Sequence, residues 1–365
     1  MGTPAGVVED DRFARQRAIP DWDQERVGKA AVVVAGVGAL GNEVAKNLAL
    51  AGVGRLVLCD PDTVAASNLS RTVLFGPDDV GRPKVRAAAD ALRRLAPGTE
   101  TVTRPHELTR AAGLGELADA AAVIGCLDSR HARLRLLGRC ALAGAALVDG
   151  GTHPWGGEVR LRVDPADGCY GCTLTPGQRA EDDLPAGCLP PVPPPPAPAS
   201  IVATSIVAGW LTLAALRLVL GRPPGWRLLD VDGFTGSTAP VAVRRDPACP
   251  HHEPLGPAEP VPVGTAEPVA ALLARVPDGA EPLAWRPFAV PTTCRSCGAG
   301  YRPPAGHPGG VEPCPACGAP VRLRRSERLR AAGPTVALHD LGVAPGEIIP
   351  VRLPEGRYRW LRLAS

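Results

Sequence analysis

The sequence predicts an α/β fold: a Rossmann-like, doubly wound, mainly parallel sheet followed by a small cysteine-rich region. Three observations carry this. Apolar strand-like runs alternate with helix-like spacing over residues 30–150. The first run, Ala31–Ala35, leads straight into Gly36-Val-Gly38-Ala-Leu-Gly41. Three Cys-x-x-Cys pairs stand at 169/172, 294/297 and 314/317.

Residues 1–28 read as a helical lead-in holding Arg12-Phe-Ala-Arg15-Gln16. Strands are expected at 31–35, 55–59, 99–105, 121–126 and 145–149, with helices at about 41–52, 84–96, 109–118 and 130–144. Glu158-Val-Arg-Leu-Arg-Val alternates, which suits an antiparallel strand with one wet face. Residues 173–199 hold Asp182-Asp183, Cys188 and a proline run from Pro190, and are expected as a loop. A helix over 201–220 follows, then strands near 226–232 and 239–244. The domain reading is 1–252, a linker rich in Pro, Glu and Ala at 253–285, and a terminal region at 286–365.

Composition narrows the class. Apolar content of 45% is ample for a core, and the net charge of +3 is spread along the chain. Arg322-Leu-Arg-Arg-Ser-Glu-Arg is the one basic tract, read as a solvated face, so nucleic acid is not the expected partner. Only three of the 40 basic residues are lysines: Lys29, Lys46 and Lys84. A lysine kept against that bias suits a role needing a compact ammonium. No secretory signal is visible at the N-terminus. Ile201–Leu220 is long and apolar, but Thr204, Ser205, Thr212 and Arg217 favour a buried or interface helix over a membrane span. The chain is expected to be soluble and cytoplasmic.

The glycine motif has separable parts. Gly36 permits the tight turn, Gly38 lets backbone approach a phosphate, and Gly41 brings helix close to strand. The helix start then offers free N–H groups to an anion. Asp60, ending the second strand, is placed to accept the ribose hydroxyls. Asn68-Leu-Ser-Arg71 and Lys84 follow, and a dehydrogenase would leave them idle.

From here the sequence resembles the ThiF/MoeB/HesA family, bacterial relatives of ubiquitin-activating enzymes. The matching residues are Arg12-Phe-Ala-Arg15-Gln16, Gly36-Val-Gly-Ala-Leu-Gly41, Asp60-Pro-Asp62-Thr-Val, Ser67-Asn68-Leu-Ser-Arg71, Gly81-Arg-Pro-Lys84-Val and Cys126-Leu-Asp128. Gly150-Gly151, Gly156-Gly-Glu158-Val and Cys169-Tyr-Gly-Cys172 continue the series, over about residues 10–255. The resemblance implies adenylation: a carboxylate attacks the α-phosphate of ATP and pyrophosphate leaves. It implies that Arg71 and Lys84 hold phosphates, Asp128 holds Mg²⁺, Asp60 takes the ribose, and Asn68 lies on the covering loop. It also implies a homodimer in which Arg15 reaches the partner's γ-phosphate. Ser129 departs from the family, which often has Asn there.

Cys188 sits in the region of the family's crossover loop, where some members form a thioester or acyl-disulfide. A covalent role and an incidental free thiol both remain open. Cys59, Cys126 and Cys140 fall in predicted strands or helices and are expected as inert core thiols. Cys169 and Cys172 need two more metal ligands. The family supplies these after the last sheet strands, where this chain reads Cys249-Pro-His251-His252. Cys249 with His252 keeps the two-residue spacing, and His251 is the alternative to His252. Cys294, Cys297, Cys314 and Cys317 form two matching knuckles, each followed by Gly, and read on spacing as a zinc ribbon. Two structural Zn²⁺ sites are therefore expected.

The leading functional expectation is activation of a small ubiquitin-like or sulfur-carrier protein ending in Gly-Gly. Gly150-Gly151 and Gly156-Gly157 are expected to leave room for that tail. The alternatives are a peptide or modified tRNA carboxylate as substrate, and a non-catalytic ATP-binding scaffold.

Overall fold

A computed structural model describes residues 11–180 and 200–365. Cys188, Asp182-Asp183 and the proline run lie outside the described residues. Two compact units divide the chain: Met1–Glu107 with Leu117–Pro254, and Leu108–Glu116 with Leu255–Ser365.

In the first unit the lead-in carries α1 (Ala14–Arg17) and α2 (Gln24–Lys29). Asp23 caps α2 by accepting from the Arg26 N–H at 2.9 Å. Then come β1 (Ala31–Ala35), α3 (Ala39–Leu50), β2 (Arg55–Cys59), α4 (Lys84–Leu95) and β3 (Glu100–Arg104). The chain passes through α5 (Leu108–Ala111) and α6 (Leu114–Asp119) to β4 (Ala122–Gly125), α7 (Arg130–Ala143), β5 (Leu147–His153) and β6 (Gly156–Arg162). After α8 (Pro176–Ala180) and α9 (Ile201–Val219), β7 (Leu228–Asp232) and β8 (Ser237–Val241) finish one eight-stranded sheet, ordered β3-β2-β1-β4-β5-β6-β7-β8.

The strands from β3 to β5 in that order are parallel, and β6, β7 and β8 are added antiparallel. Val32 of β1 pairs with Leu56 on one side and Ala122 on the other. The chain winds outward from β1 in one direction, then returns to its other edge. A doubly wound sheet opens its ligand crevice at such a reversal, beyond the strands' carboxyl ends.

Val32, Val33 and Val34 are buried together, as a parallel strand covered on both faces requires. Helix α9 packs on α3 and across β4, β5 and β6. Among the described residues it is the one helix long and apolar enough to cross a membrane, and half of that span is buried. Its threonines need no water: Thr204 Oγ1 donates to the Ser200 carbonyl at 2.8 Å and Thr212 Oγ1 to the Ala208 carbonyl at 2.7 Å.

The segment expected wholly as a loop from 173 begins instead with α8. Thr175 and Gln178 cap it reciprocally: the Gln178 N–H donates to Thr175 Oγ1 at 3.2 Å, and the Thr175 N–H to Gln178 Oε1 at 2.9 Å.

The second unit carries β9 (Glu259–Pro260), α10 (Val269–Leu273), β10 (Glu281–Val290), β11 (Thr292–Thr293), β12 (Gly300–Tyr301), β13 (Val311–Pro313), β14 (Pro320–Arg322), β15 (Arg324–Arg328), β16 (Ile348–Arg352) and β17 (Tyr358–Arg362). Five strands form a sheet in the order β15-β10-β16-β17-β9, while β11–β12 and β13–β14 are separate small hairpins. Residues 253–285 are therefore not the linker expected from their composition, since from Leu255 they belong to the second unit. Val261, Val263, Val269, Leu272, Val276 and Ala280 are buried in one core with Phe288, Ile349 and Val351. Frequent Pro, Glu and Ala masked that apolar spacing.

Residues 108–116 also belong to this unit. The Gly113 N–H donates to the Pro345 carbonyl at 3.0 Å, the Leu114 N–H to Glu347 Oε1 at 3.0 Å, and the Gly115 N–H to the Gly346 carbonyl at 2.9 Å. A Cβ on Gly113 would stand 2.4 Å from backbone atoms of residues 345–347. The single helix expected over 109–118 breaks there into α5 and α6, because those N–H groups bond across rather than along the helix. If 255–285 is core, Leu272→Ala lowers the unfolding free energy of this unit by about 2–5 kcal/mol in urea titration. A linker residue would leave the titration unchanged.

Candidate active site

At the end of β1, Gly36 has φ +90°, and a Cβ there would lie 2.4 Å from the Cys126 carbonyl oxygen. On Gly41 a Cβ would lie 2.0 Å from the Gly36 carbonyl oxygen. Around Gly38 nothing stands within 4 Å of a Cβ. The turn, the close helix–strand contact and the open approach fall on the three glycines as expected. Gly38 also caps α3 without a side-chain bond to its first turn, so side chains there do not compete with an anion for those N–H groups.

Asp60 is only 5% exposed. Its Oδ2 accepts from the Val37 N–H at 2.7 Å and its Oδ1 from the Asp62 N–H at 2.8 Å. Burial raises its carboxyl above the ordinary range, opposed by Lys84 and by those two N–H groups. Lys84 Nζ lies 2.7 Å from Asp62 Oδ2 and 4.0 Å from Asp60 Oδ1. Lys84 is also the first residue of α4. A cation there opposes the helix dipole by about 0.3–1 kcal/mol, so the helix itself does not call for it.

Between Asp60 and Lys84 the chain bonds to itself. Asn68 Oδ1 accepts from the Ala65 N–H at 2.9 Å, and the Asn68 carbonyl from the Arg71 N–H at 3.0 Å. The Arg71 guanidinium donates to the Ser67 carbonyl at 2.6 Å. Asn42, fully buried on α3, joins this segment to the turn. Its amide donates to the carbonyls of Val37 at 2.8 Å and Gly38 at 3.2 Å, and its Oδ1 accepts from the Leu74 N–H at 2.9 Å.

Asp128 is exposed just beyond β4, on the stretch whose Cys126 carbonyl abuts Gly36. Ser129, in the family's frequent Asn position, caps α7 by accepting from the Ala132 N–H at 3.2 Å. The structure thus groups the glycine turn, Asp60 and Lys84, with the Arg71 loop tied on through Asn42. Arg15 is exposed on α1 and takes no part in these bonds.

One expectation changes. Space at Gly150, Gly151, Gly156 and Gly157 is taken by the chain itself. A Cβ would meet Leu211 at 2.5 Å, Arg133 at 2.9 Å, the Val231 carbonyl at 2.0 Å and the Gly151 carbonyl at 2.1 Å, respectively. These glycines serve internal packing, not a vacant channel. The sequence reading also missed a buried pair: Arg133 on α7 donates to Asp149 Oδ2 and to the Gly150 carbonyl, each at 2.7 Å. Burial pushes the Asp149 carboxyl up to about 6, against the pull of Arg133. The spacing of Arg133 from Asp128 and the acid beside Gly150 were the available signals. Cys59 and Cys140 are buried as inert core thiols should be, burial raising that of Cys140 to about 12, whereas Cys126 is only partly buried just beyond β4.

The metal-type donors fall in two groups. Ligand atoms of Cys169, Cys172, Cys249 and His252 lie within 4.8 Å of one another, and so do those of Cys294, Cys297, Cys314 and Cys317. In the first, His252 Nε2 is 3.2 Å from Cys172 Sγ, while its Nδ1 is 2.9 Å from the Pro165 carbonyl. That carbonyl favours a proton on Nδ1 and frees Nε2 for a metal. His251 is not in the cluster; its ring packs against Gly138 and Gly171, 3.3 Å and 2.9 Å from where a Cβ would stand. In the second cluster, the N–H groups of Gly298 and Gly318, both at positive φ, donate to the carbonyls of Cys294 and Cys314 at 2.9 and 2.8 Å. Backbone N–H groups of Cys297 and Ser296 draw the Cys294 thiol down to about 6. Both donor sets suit tetrahedral zinc.

Residues 12–251 match the ThiF family. A sulfur carrier protein adenylyltransferase of Thermus thermophilus is 34% identical over 66% of this chain and 90% of its own length. The sulfur carrier protein ThiS adenylyltransferase of Escherichia coli is 30% identical over 66% of this chain and 93% of its own length. Among solved structures, E. coli MccB with ATP superposes at TM-score 0.55 and 19% identity, over 67% of this chain and 74% of that one, a likeness of fold.

With both clusters filled, elemental analysis of the purified protein gives about two zinc ions per chain. His252→Ala loses one of them and His251→Ala loses none; equal loss from both variants would contradict the assignment of His252.

Proposed function

This chain belongs to the ThiF family, and on that premise we propose that it is an ATP-dependent adenylyltransferase activating the C-terminal carboxylate of a small ubiquitin-like or sulfur-carrier protein. The observation carrying this is the loop between β2 and α4. It bears Arg71, leads to Lys84, and is bonded to the glycine turn at Asp60 and through Asn42. Hydride transfer reacts at the nicotinamide, away from the phosphates, whereas displacement within a triphosphate needs cations around the phosphate chain itself.

In the reaction a carboxylate oxygen attacks the α-phosphorus, the bond from that phosphorus to the bridging oxygen breaks, and pyrophosphate departs with the electron pair. The turn receives phosphate on its N–H groups. Asp60, with backbone N–H groups already on both oxygens, keeps lone pairs for ribose hydroxyls. Lys84 leaves Asp62 for the phosphates, and Arg71 turns from the Ser67 carbonyl to join it. Asp128, exposed at the mouth, is the residue to hold Mg²⁺, whose charge would offset that of the phosphates.

The finer assignments rest on family pattern. The carrier ends in Gly-Gly, the enzyme works as a homodimer in the cytoplasm, and Arg15 completes the partner's site. Exposure of Arg15 on α1 is consistent with reaching another subunit. Cys188 takes the acyl group from the adenylate as a thioester, releasing AMP. Cys169, Cys172, Cys249 and His252 would hold a zinc ion that ties the chain after β6 to the chain after β8, and Cys294, Cys297, Cys314 and Cys317 would hold one between the two knuckles.

With a Gly-Gly-ended carrier, ATP and Mg²⁺, pyrophosphate exchange into ATP is expected. Arg71→Ala or Asp128→Ala lowers it by about 10²–10³-fold. Cys188→Ala leaves exchange intact and removes only the thiol-sensitive carrier adduct. Undiminished exchange in the Asp128 variant would refute the role given to that residue.

A further inference from the structure

We infer that Asn42 is a positioning residue that fixes the cation-bearing loop against the phosphate turn. This rests on reading the site as one for ATP. The side chain is fully buried and its bonds divide between two segments. Its amide donates to Val37 and Gly38 within the turn, and its carbonyl accepts from Leu74, three residues beyond Arg71. Val37 in turn donates to Asp60. One side chain therefore sets the distance between the N–H groups that meet phosphate and the loop that carries the guanidinium.

Chemistry restricts what can replace it. The site presents two carbonyl acceptors and one N–H donor, so it asks for a donor and an acceptor on one short side chain. Among residues of this length only Asn offers both without a charge. Alanine strands the Leu74 N–H, in a residue only 4% exposed, away from water. Aspartate keeps the shape and the bond to Leu74 but turns a carboxylate toward two carbonyl oxygens. The rest of the loop is bonded chiefly to itself, through Asn68, Ser67 and Arg71. Loss of the clamp thus shifts it as a body rather than unravelling it. Glycine-motif spacing gives no hint of this, since the position directly follows the last glycine and reads as an ordinary helix residue.

A positional role differs from a merely structural one in which ligands it affects. AMP uses the turn and Asp60; ATP also reaches for Arg71 and Lys84. By titration calorimetry with Mg²⁺ present, Asn42→Ala and Asn42→Asp raise the dissociation constant of ATP on the order of tenfold or more, as displaced binding groups do. AMP binding changes less than about threefold. Val44→Ala, a fully buried cavity-forming change on the same helix, serves as the control and leaves both constants near the starting values. Amide hydrogen exchange supplies a second reading: the Leu74 N–H loses protection in Asn42→Ala but keeps it in Val44→Ala. Equal weakening of ATP and AMP, or unchanged protection of Leu74, would overturn the inference. If the unaltered chain bound neither nucleotide, the ATP reading of the site would fail first, and Leu74 protection would still report whether the clamp exists.

Discussion

A contact that no side chain can share organises the catalytic half of the molecule. Strand β1 and helix α3 approach until the Gly41 Cα faces the Gly36 carbonyl, with 2.0 Å where a Cβ would stand. Gly36 meets the Cys126 carbonyl on its other side. These two absences bring β1, α3 and the end of β4 within one turn of chain, and Asp128 follows two residues later. Everything read as phosphate chemistry depends on that closeness. It leaves the α3 N–H groups at the mouth of the crevice rather than behind a side chain.

Charge is arranged around this turn so that little is lost when a ligand arrives. Lys84 is nearly buried, but its closest partner, Asp62, has a side chain 64% exposed. Pairs with so much water around them contribute about 0–1 kcal/mol. Exchanging Asp62 for a phosphate is therefore inexpensive. Asp60 differs: it is buried, and backbone N–H groups and Lys84 offset part of its desolvation. Asp60 and Asp62, two residues apart in sequence, thus divide into a fixed carboxylate and a resting place for the lysine.

Much of this was legible in the sequence, for identifiable reasons. Residues 31–35 and 56–59 read as strands because each is a short unbroken apolar run. The metal donors read out because Cys-x-x-Cys spacing is itself the geometry; the same spacing favours His252, and the clustered ligand atoms leave His251 out. What stayed hidden depends on long-range contact. Helix 109–118 was expected whole, since nothing local shows that residues 345–347 claim Gly113. Residues 253–285 look like a linker by composition, while their Val and Leu positions fill a core. Gly150 and Gly156 seemed open because a missing side chain says nothing about which neighbour occupies its place. Asn42 and the Arg133–Asp149 pair become visible only when the segments they join are brought together.

The molecule thus combines a nucleotide crevice, set by backbone proximity, with two compact donor clusters, one in each unit. Which phosphorus is attacked distinguishes the proposed chemistry, and phosphorus NMR of ATP turned over with a Gly-Gly-ended carrier tests it most directly. AMP and pyrophosphate as the products are what displacement at the α-phosphorus requires. ADP and orthophosphate would contradict the account.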